Sequence, residues 1–232
     1  MKPLIGIVSK PMVQTKWATW KHNEIVDELR EALIGIGARV LALVPQGPSI
    51  ESQYTDYPWY ENYDLSNRAD YTDLADLCDG IVMQGGGVIS NYEHLIIHYC
   101  TEQDIPLLGL CCGMTNMALA TGGKVDYSQL DYMTKRHIDV SMGYKHRVRI
   151  EKNSLLYEVL GKTELRVNSL HGGQIADPGE YSVAAHSDDG LIEGLEYPKN
   201  RFNLGVQWHP EFLWKEDESA KRIFRYFIEQ SK

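Results

Sequence analysis

The stretch Ile105-Pro106-Leu107-Leu108-Gly109-Leu110-Cys111-Cys112-Gly113-Met114-Thr115-Asn116-Met117-Ala118-Leu119-Ala120-Thr121-Gly122-Gly123 decides the fold. Its first six residues are a short apolar run of the kind that fills a strand buried on both faces of a parallel sheet. Met114, Met117, Ala118 and Ala120 then recur at helical spacings, and Gly122-Gly123 stops the helix. A strand that turns directly into a helix strains its corner residue and lifts that side chain clear of the sheet. Small residues two positions to either side relieve the crowding. Gly109 and Gly113 flank Cys111 in that way, which makes the run a sulfur counterpart of the Gly-x-Ser-x-Gly nucleophile elbow. Cys112 has Leu110 at the equivalent upstream place, so the spacing selects Cys111. The helix N-terminus behind it favours thiolate over thiol. Cys78 and Cys100 sit in apolar contexts and read as small core residues.

Upstream of the elbow, strands and helices alternate. Leu4–Val8 reads as a strand, and residues 23–36 as a helix with Ile25, Leu29, Ala32, Leu33 and Ile36 on one face. Gly37 ends that helix, and residues 40–44 form the next strand. Residues 46 to about 70 are polar and rich in Tyr, Asp, Asn and Pro, an irregular loop placed to cover a pocket. A short helix over 71–77, a strand over 80–83 running into Gln84-Gly85-Gly86-Gly87, and a helix over 92–102 lead back to the elbow strand. Downstream, residues 125–141 are polar, and strands are expected over 146–150, 166–168, 181–187, 191–196 and 204–208. A helix over 219–230 closes the chain. Parallel βαβ units followed by mixed strands predict an α/β fold. Its core is a doubly wound, mostly parallel sheet flanked by helices, with a small antiparallel extension. Without repeats, linker or low-complexity segments, residues 1–232 read as one domain.

The 232 residues carry a formal charge of −9 with the basic residues scattered, which argues against nucleic acid or an anionic membrane as partner. Met1–Val8 is too short for a signal-peptide core, and no stretch is long and apolar enough to span a bilayer. Four cysteines, two of them adjacent, make neither a disulfide framework nor a zinc-finger spacing, so a reducing cytoplasm is expected.

A nucleophile needs a base. Gly205-Val206-Gln207-Trp208 reads as a strand ending at His209-Pro210-Glu211-Phe212. Proline holds the preceding residue extended, so His209 and Glu211 emerge on one side of the strand end. The carboxylate can accept from one imidazole nitrogen while the other faces the thiol. Strand ends on one edge of such a sheet are where active sites form. Gly85-Gly86-Gly87 after a buried strand lets backbone N–H groups approach a carbonyl, and the N–H groups of Gly86 and Cys112 are the expected oxyanion hole. His94 and His98 share a helix face but lack a third ligand, which favours a surface or core role over zinc.

These segments, in this order, resemble the class I glutamine amidotransferase-like superfamily, and most closely its γ-glutamyl-γ-aminobutyrate hydrolase branch. The resemblance rests on residues 79–86, the elbow with residues 118–123, His146-Arg147-Val148, Val167-Asn168-Ser169-Leu170-His171, residues 187–193 and Gly205-Val206-Gln207-Trp208-His209-Pro210-Glu211. It implies a flavodoxin-like fold, Cys111 as nucleophile, His209 as base and Glu211 as its orienter. It also implies that Gly85, Gly87, Thr115, Asn168, Ser169 and His171 lie near the substrate, and that no metal or organic cofactor is required. The chain departs from that pattern in several places. Cys112 replaces the usual Arg after the nucleophile, and Thr115 replaces the usual Gln. The usual His-His-Gln is His171-Gly172-Gly173-Gln174, and the segment between Gly87 and Leu107 is short. These departures imply retained chemistry with altered acceptor-side specificity.

The resemblance thus implies a small-molecule γ-glutamyl substrate, with the departing amine left open among a polyamine-derived acid, an amino acid and a sugar or nucleotide precursor. Two other readings compete: a glutaminase subunit feeding ammonia to a separate synthetase, and a silent γ-glutamyl-compound binding protein. Tyr54, Tyr57, Trp59, Tyr60 and Tyr63 either line the amine pocket or cover a homodimer interface, and Trp17 and Trp20 carry the same ambiguity.

Overall fold

In the computed structural model, residues 1–11, 22–47, 51–52, 68–87 and 89–232 are described. Most of the polar loop, with Tyr54, Tyr57, Trp59, Tyr60, Tyr63, Trp17 and Trp20, lies outside the described residues. The main sheet has nine strands: β1 (Leu4–Val8), β2 (Arg39–Leu43), β3 (Gly80–Met83), β4 (Leu107–Leu110), β5 (His146–Ile150), β6 (Glu164–Val167), β7 (Ser182–Ser187), β8 (Ile192–Glu196) and β9 (Asn203–Val206). Their spatial order is β6-β5-β7-β8-β9-β4-β3-β1-β2. The pairs β2–β1, β1–β3, β3–β4 and β4–β9 are parallel. The pairs β9–β8, β8–β7, β7–β5 and β5–β6 are antiparallel. The expected parallel sheet with an antiparallel extension is therefore present. Its order reverses between β1 and β3, and at such a switch point the carboxyl ends of the strands open a crevice.

Helices cover both faces. On one lie α1 (Asp27–Ile36), α6 (Leu155–Leu160) and α7 (Glu218–Gln230), whose Leu29, Leu33, Leu156, Val159, Ile223, Phe224 and Phe227 pack on Ile5, Ile7, Leu108, Leu204 and Val206. On the other lie α2 (Arg68–Asp76), α3 (Asn91–Glu102) and α4 (Cys112–Ala120), packed on Val8, Ile81, Met83 and Leu107. Alternate strand residues thus feed opposite cores, which is why the central strands read as continuous apolar runs. Asp217 starts α7 by accepting from the N–H groups of Ser219 and Ala220. Cys78 and Cys100 are buried thiols in the second core, as expected.

Several boundaries moved. The first helix begins at Asp27, because the Gln84 side chain accepts from Val26 N–H (2.8 Å) and donates to the Glu24 carbonyl (2.8 Å). Those two bonds hold the chain extended there, and Asn23–Glu24 pairs with Lys10–Pro11. The polar stretch 125–141 contains a strand over Lys124–Asp126, paired with Gln174–Asp177, and α5 (Leu130–Arg136), anchored by buried Met133. Helix α6 was not expected, although Ser154 caps its first turn and Gly161 closes it in the left-handed region (φ 64°). No helix among the described residues is long and apolar enough to cross a membrane.

Candidate active site

β4 turns into α4 at Cys111, whose backbone sits at φ 49°, ψ −108°. Such a conformation is costly for a residue with a side chain and persists only where its surroundings enforce it. Here they do. Cys111 N–H donates to the Val206 carbonyl of β9 (2.8 Å), and Thr115 N–H donates back to the Cys111 carbonyl (3.1 Å). A Cβ at Gly113 would run into the Met83 carbonyl, and one at Gly109 into Met117 Sδ, so only glycine lets α4 close on β3 and β4. The expected elbow is present in its predicted register.

Beyond β9 the chain passes Gln207 and Trp208 to His209, and Pro210 opens a single 3-10 turn over Pro210–Phe212. That turn brings Glu211 back beneath the imidazole, where His209 Nδ1 donates to Glu211 Oε1 at 2.7 Å. Both side chains are buried. Asn168 clamps the same residue through its backbone: His209 N–H donates to Asn168 Oδ1 (2.9 Å), and Asn168 Nδ2 donates to the His209 carbonyl (2.8 Å). Gly85 borders the ring so closely that a Cβ there would lie 2.8 Å from His209 Cε1 and 3.6 Å from Cys111 Cβ.

Burial on its own would raise the Cys111 thiol and lower the His209 imidazole. Their mutual attraction, with Glu211 adding to the pull on His209, reverses both. Cys111 ends below the ordinary thiol range and His209 well above the ordinary imidazole range, the signature of a thiolate–imidazolium pair. His209 Nε2 makes no closed hydrogen bond, a loose resting contact of the kind that tightens when substrate arrives. Gln207 Nε2 donates to the Cys111 sulfur at 3.6 Å, and the thiol reaches the Leu170 carbonyl at 3.7 Å.

The sulfur opens on a cavity of about 380 Å³ lined by Gly86, Cys111, Cys112, Thr115, Tyr127, Leu130, Leu170, His171, Gly172, Gly173 and Gln207. Of the residues expected near substrate, Thr115 and His171 stand in its wall, as do Gly86 and Cys112, the expected oxyanion pair. Gly86 is at φ +154°, with Lys10 Cγ 3.0 Å from where its Cβ would be, so a side chain at that bend would be strained. Gly85, Gly87, Asn168 and Ser169 are not in the wall. Gly85 faces His209, Asn168 holds the His209 backbone, and Ser169 Oγ donates to the His137 carbonyl at 2.6 Å. Tyr127, Leu130 and Gln207 had not been singled out. Tyr127 and Leu130 come from the polar stretch whose strand and helix were unrecognised.

Behind the glycine loop lies a buried polar cluster. Lys10, at the carboxyl end of β1, is 2% exposed and its Nζ stands 2.5 Å from Glu93 Oε1 and 3.5 Å from Cys112 Sγ. Glu93 also accepts from Asn116 Nδ2 (2.9 Å), Ser90 N–H (3.0 Å) and Ser90 Oγ (2.6 Å). Burial alone would lower the Lys10 ammonium, but Cys112, once ionised, and Glu93 outweigh it and the net shift is upward. Because burial pushes the Cys112 thiol up to about 11, it is uncharged at neutral pH, and Glu93 is the charge that holds the cation. His94 is fully buried and neutral, pushed down to about 3 chiefly by burial, so of the surface and core roles left open for it the core one holds.

A doubly wound sheet with a cysteine elbow on one parallel strand and a His–Glu pair after its neighbour defines a glutamine amidotransferase-like protein. The chain belongs to the peptidase C26 family, whose signature matches residues 90–211. It is 33% identical over 144 residues to the γ-glutamyl-γ-aminobutyrate hydrolase PuuD of Escherichia coli K12, covering 57% of this chain and 56% of that protein. It is 31% identical over 177 residues to the putative glutamine amidotransferase-like protein YvdE of Lactococcus lactis, covering 65% of this chain and 73% of that protein. The chain thus spans a little over half of the first relative's length. The fold also matches the glutaminase domain of Trypanosoma brucei CTPS with bound acivicin, with a TM-score of 0.64, 18% identity and coverage of 99% and 94% of the two chains.

Proposed function

We propose that this protein hydrolyses the γ-glutamyl amide bond of a small γ-glutamyl compound through a Cys111 thioester. The observation that carries the reading is the Cys111 corner, strained and facing the cavity, coupled to a His209 imidazole that Glu211 holds at 2.7 Å. The Cys111 thiolate attacks the γ-carbonyl carbon, and the carbonyl π electrons move to oxygen, where the N–H groups of Gly86 and Cys112 receive the charge. The intermediate collapses, the C–N bond breaks, and the His209 imidazolium gives its proton to the leaving amine. Neutral His209 then takes a proton from water as the oxygen attacks the thioester. Glutamate leaves, and the thiolate–imidazolium pair is restored. Glu211 stays ionised throughout and fixes the imidazole's orientation. Gln207 supports the negative sulfur, and Thr115, Tyr127 and His171 bound the space the substrate fills.

Glutamate release from a panel of γ-glutamyl amides, free glutamine included, tests the reading. Turnover of at least one amide, lost in Cys111→Ala and diverted to a hydroxamate by hydroxylamine, is the expected result. Full activity in Cys111→Ala, or no release from any member by protein whose Cys111 alkylates normally, would overturn it. Loss in Cys112→Ala alone would move the elbow by one residue. Free glutamine as the best substrate, turned over only beside a synthetase, would identify an ammonia-supplying subunit instead.

A further inference from the structure

Next to the cavity, four ligand-type side chains from separate segments converge. His137 follows α5, His146 opens β5, His171 follows β6 and Glu193 lies on β8. His137 Nδ1, His146 Nε2 and His171 Nε2 each stand 3.5 Å from Glu193 Oε1, and the four ligand atoms lie within 4.8 Å of one another. Glu193 is fully buried, and the side chains of His137, His171 and His146 are 1%, 5% and 12% exposed. None of the three inward nitrogens, and neither Glu193 oxygen, makes a hydrogen bond.

The opposite ring nitrogens explain why that matters. His137 Nε2 meets Asp189 Oδ2 at 2.9 Å, His171 Nδ1 meets the Gly173 carbonyl at 3.0 Å, and His146 Nδ1 meets the Arg147 carbonyl at 3.2 Å. Each outer partner is an acceptor, so a neutral ring must place its proton outward and turn its lone pair inward. Three lone pairs then converge on a buried carboxylate with no donor among them, an arrangement that repels itself unless a cation sits at its centre. The outer contacts are the usual means of fixing a ligating histidine's tautomer and ring plane. Asp189 is itself held by Tyr132 OH at 2.6 Å. The three nitrogen–oxygen edges fit as well, since metal–ligand distances of about 2.0–2.1 Å give a tetrahedral edge of roughly 3.3–3.4 Å, beside the observed 3.5 Å, while the nitrogen–nitrogen edges lie within 4.8 Å and close further on a bound ion.

We propose that His137, His146, His171 and Glu193 bind one divalent first-row transition cation through three imidazole nitrogens and one carboxylate oxygen. Imidazole-rich sets favour zinc, iron, nickel or copper over magnesium or calcium, and four protein ligands close the sphere in the manner of a structural site. The cation ties α5, β5 and β8 to the loop that carries His171 and Leu170, and so fixes the wall facing Cys111. The site shares His171 with the cavity wall, but none of its ligands is a group assigned to bond cleavage, so metal binding is tested independently of the hydrolase reading.

The test uses the full chain without a histidine tag. Metal content is measured by mass spectrometry as purified, after chelation, and after addition of Zn²⁺ or Co²⁺, with the melting temperature followed in parallel. The expected results are stoichiometric metal, a melting temperature that falls on chelation and returns with Zn²⁺, and the intense visible absorption of four-coordinate Co²⁺. Glu193→Gln and His146→Ala, the latter removing the least buried ligand, should each abolish all three, while His186→Ala, on β7 outside the cluster, should change none. Folded wild-type protein with no stoichiometric metal, no Zn²⁺-dependent shift and no Co²⁺ absorption would overturn the proposal and leave a proton as the neutralising cation. Equal metal binding by folded Glu193→Gln or His146→Ala would overturn it too.

Discussion

Lys10→Met separates the buried ion pair from the chain that carries it. Methionine keeps the stem that packs under Gly86 and removes only the ammonium. At 2.5 Å, a unit charge pair has a gross attraction of about 6–7 kcal/mol at an effective dielectric of about 20, and most of that offsets desolvation of the two groups. The larger consequence is the carboxylate left behind, because breaking a buried pair from one side typically costs about 3–5 kcal/mol. Glu93 keeps its bonds from Asn116 and Ser90, which places the expected loss at the lower end, about 3 kcal/mol. For a chain of this size that corresponds to a fall of about 6–12 °C in melting temperature.

The double-mutant cycle with Glu93→Gln makes the argument specific. Glu93→Gln alone strands a buried ammonium and should be destabilised on a similar scale. Lys10→Met/Glu93→Gln has no buried charge and should recover to within about 1 kcal/mol of the parent, a coupling of about 5 kcal/mol. Denaturant titration followed by circular dichroism measures all four proteins. Additive single effects, or a Lys10→Met protein as stable as the parent, would show that the pair does not tie the chain after β1 to the first turn of α3.

Three further outcomes follow from the site. Glu211→Gln should lower kcat on the order of 10⁴-fold. Because Glu211 helps to raise His209, its loss lowers the imidazole pKa, so the alkaline limb of the kcat/KM profile should move to lower pH; an unmoved limb in a pH series would contradict the assignment. Gly85→Ala puts a methyl 2.8 Å from His209 Cε1, and a ring displaced by about 1 Å should lose on the order of 10²-fold in kcat while the melting temperature changes little; unaltered turnover would refute the contact. Asn168→Ala leaves the buried N–H and carbonyl of His209 without side-chain partners, each worth about 1–3 kcal/mol. It should therefore lower stability and kcat together, and a change in KM alone, read from steady-state kinetics, would instead place Asn168 against substrate.

The parts legible in the sequence are those where one residue type answers one steric demand. Gly109 and Gly113 around Cys111 announce the elbow because nothing larger fits beneath Met83 and Met117, and residues 80–83 read as a strand because both faces are buried. The helix α5 escaped because its seven residues bury only Met133, too little to show a period. Lys10 was illegible for a different reason. A lysine between a strand and a proline reads as solvated, and only the β1–β3 switch point folds Glu93 over it. The histidine cluster was likewise invisible, since its ligands span residues 137 to 193 with no fixed spacing. His146, His171 and Glu193 each sat in a separate motif, and nothing in the sequence brought the three together.

Cys112 gains a clearer meaning from the same geometry. Read from sequence, its replacement of the arginine that the family resemblance predicts looks like a change on the substrate side. In the structure its Sγ lies 3.5 Å from the Lys10 ammonium, in the cluster that surrounds Glu93. An arginine at 112 would bring a second cation to a pocket that already holds one, at a carboxylate that can balance only one. The chain neutralises Glu93 from β1 instead, and a small uncharged thiol at 112 leaves room for that lysine. The departure at 112 therefore sets a small thiol between the cavity, whose wall it shares with Thr115, Tyr127 and Leu130, and the buried Lys10–Glu93 pair.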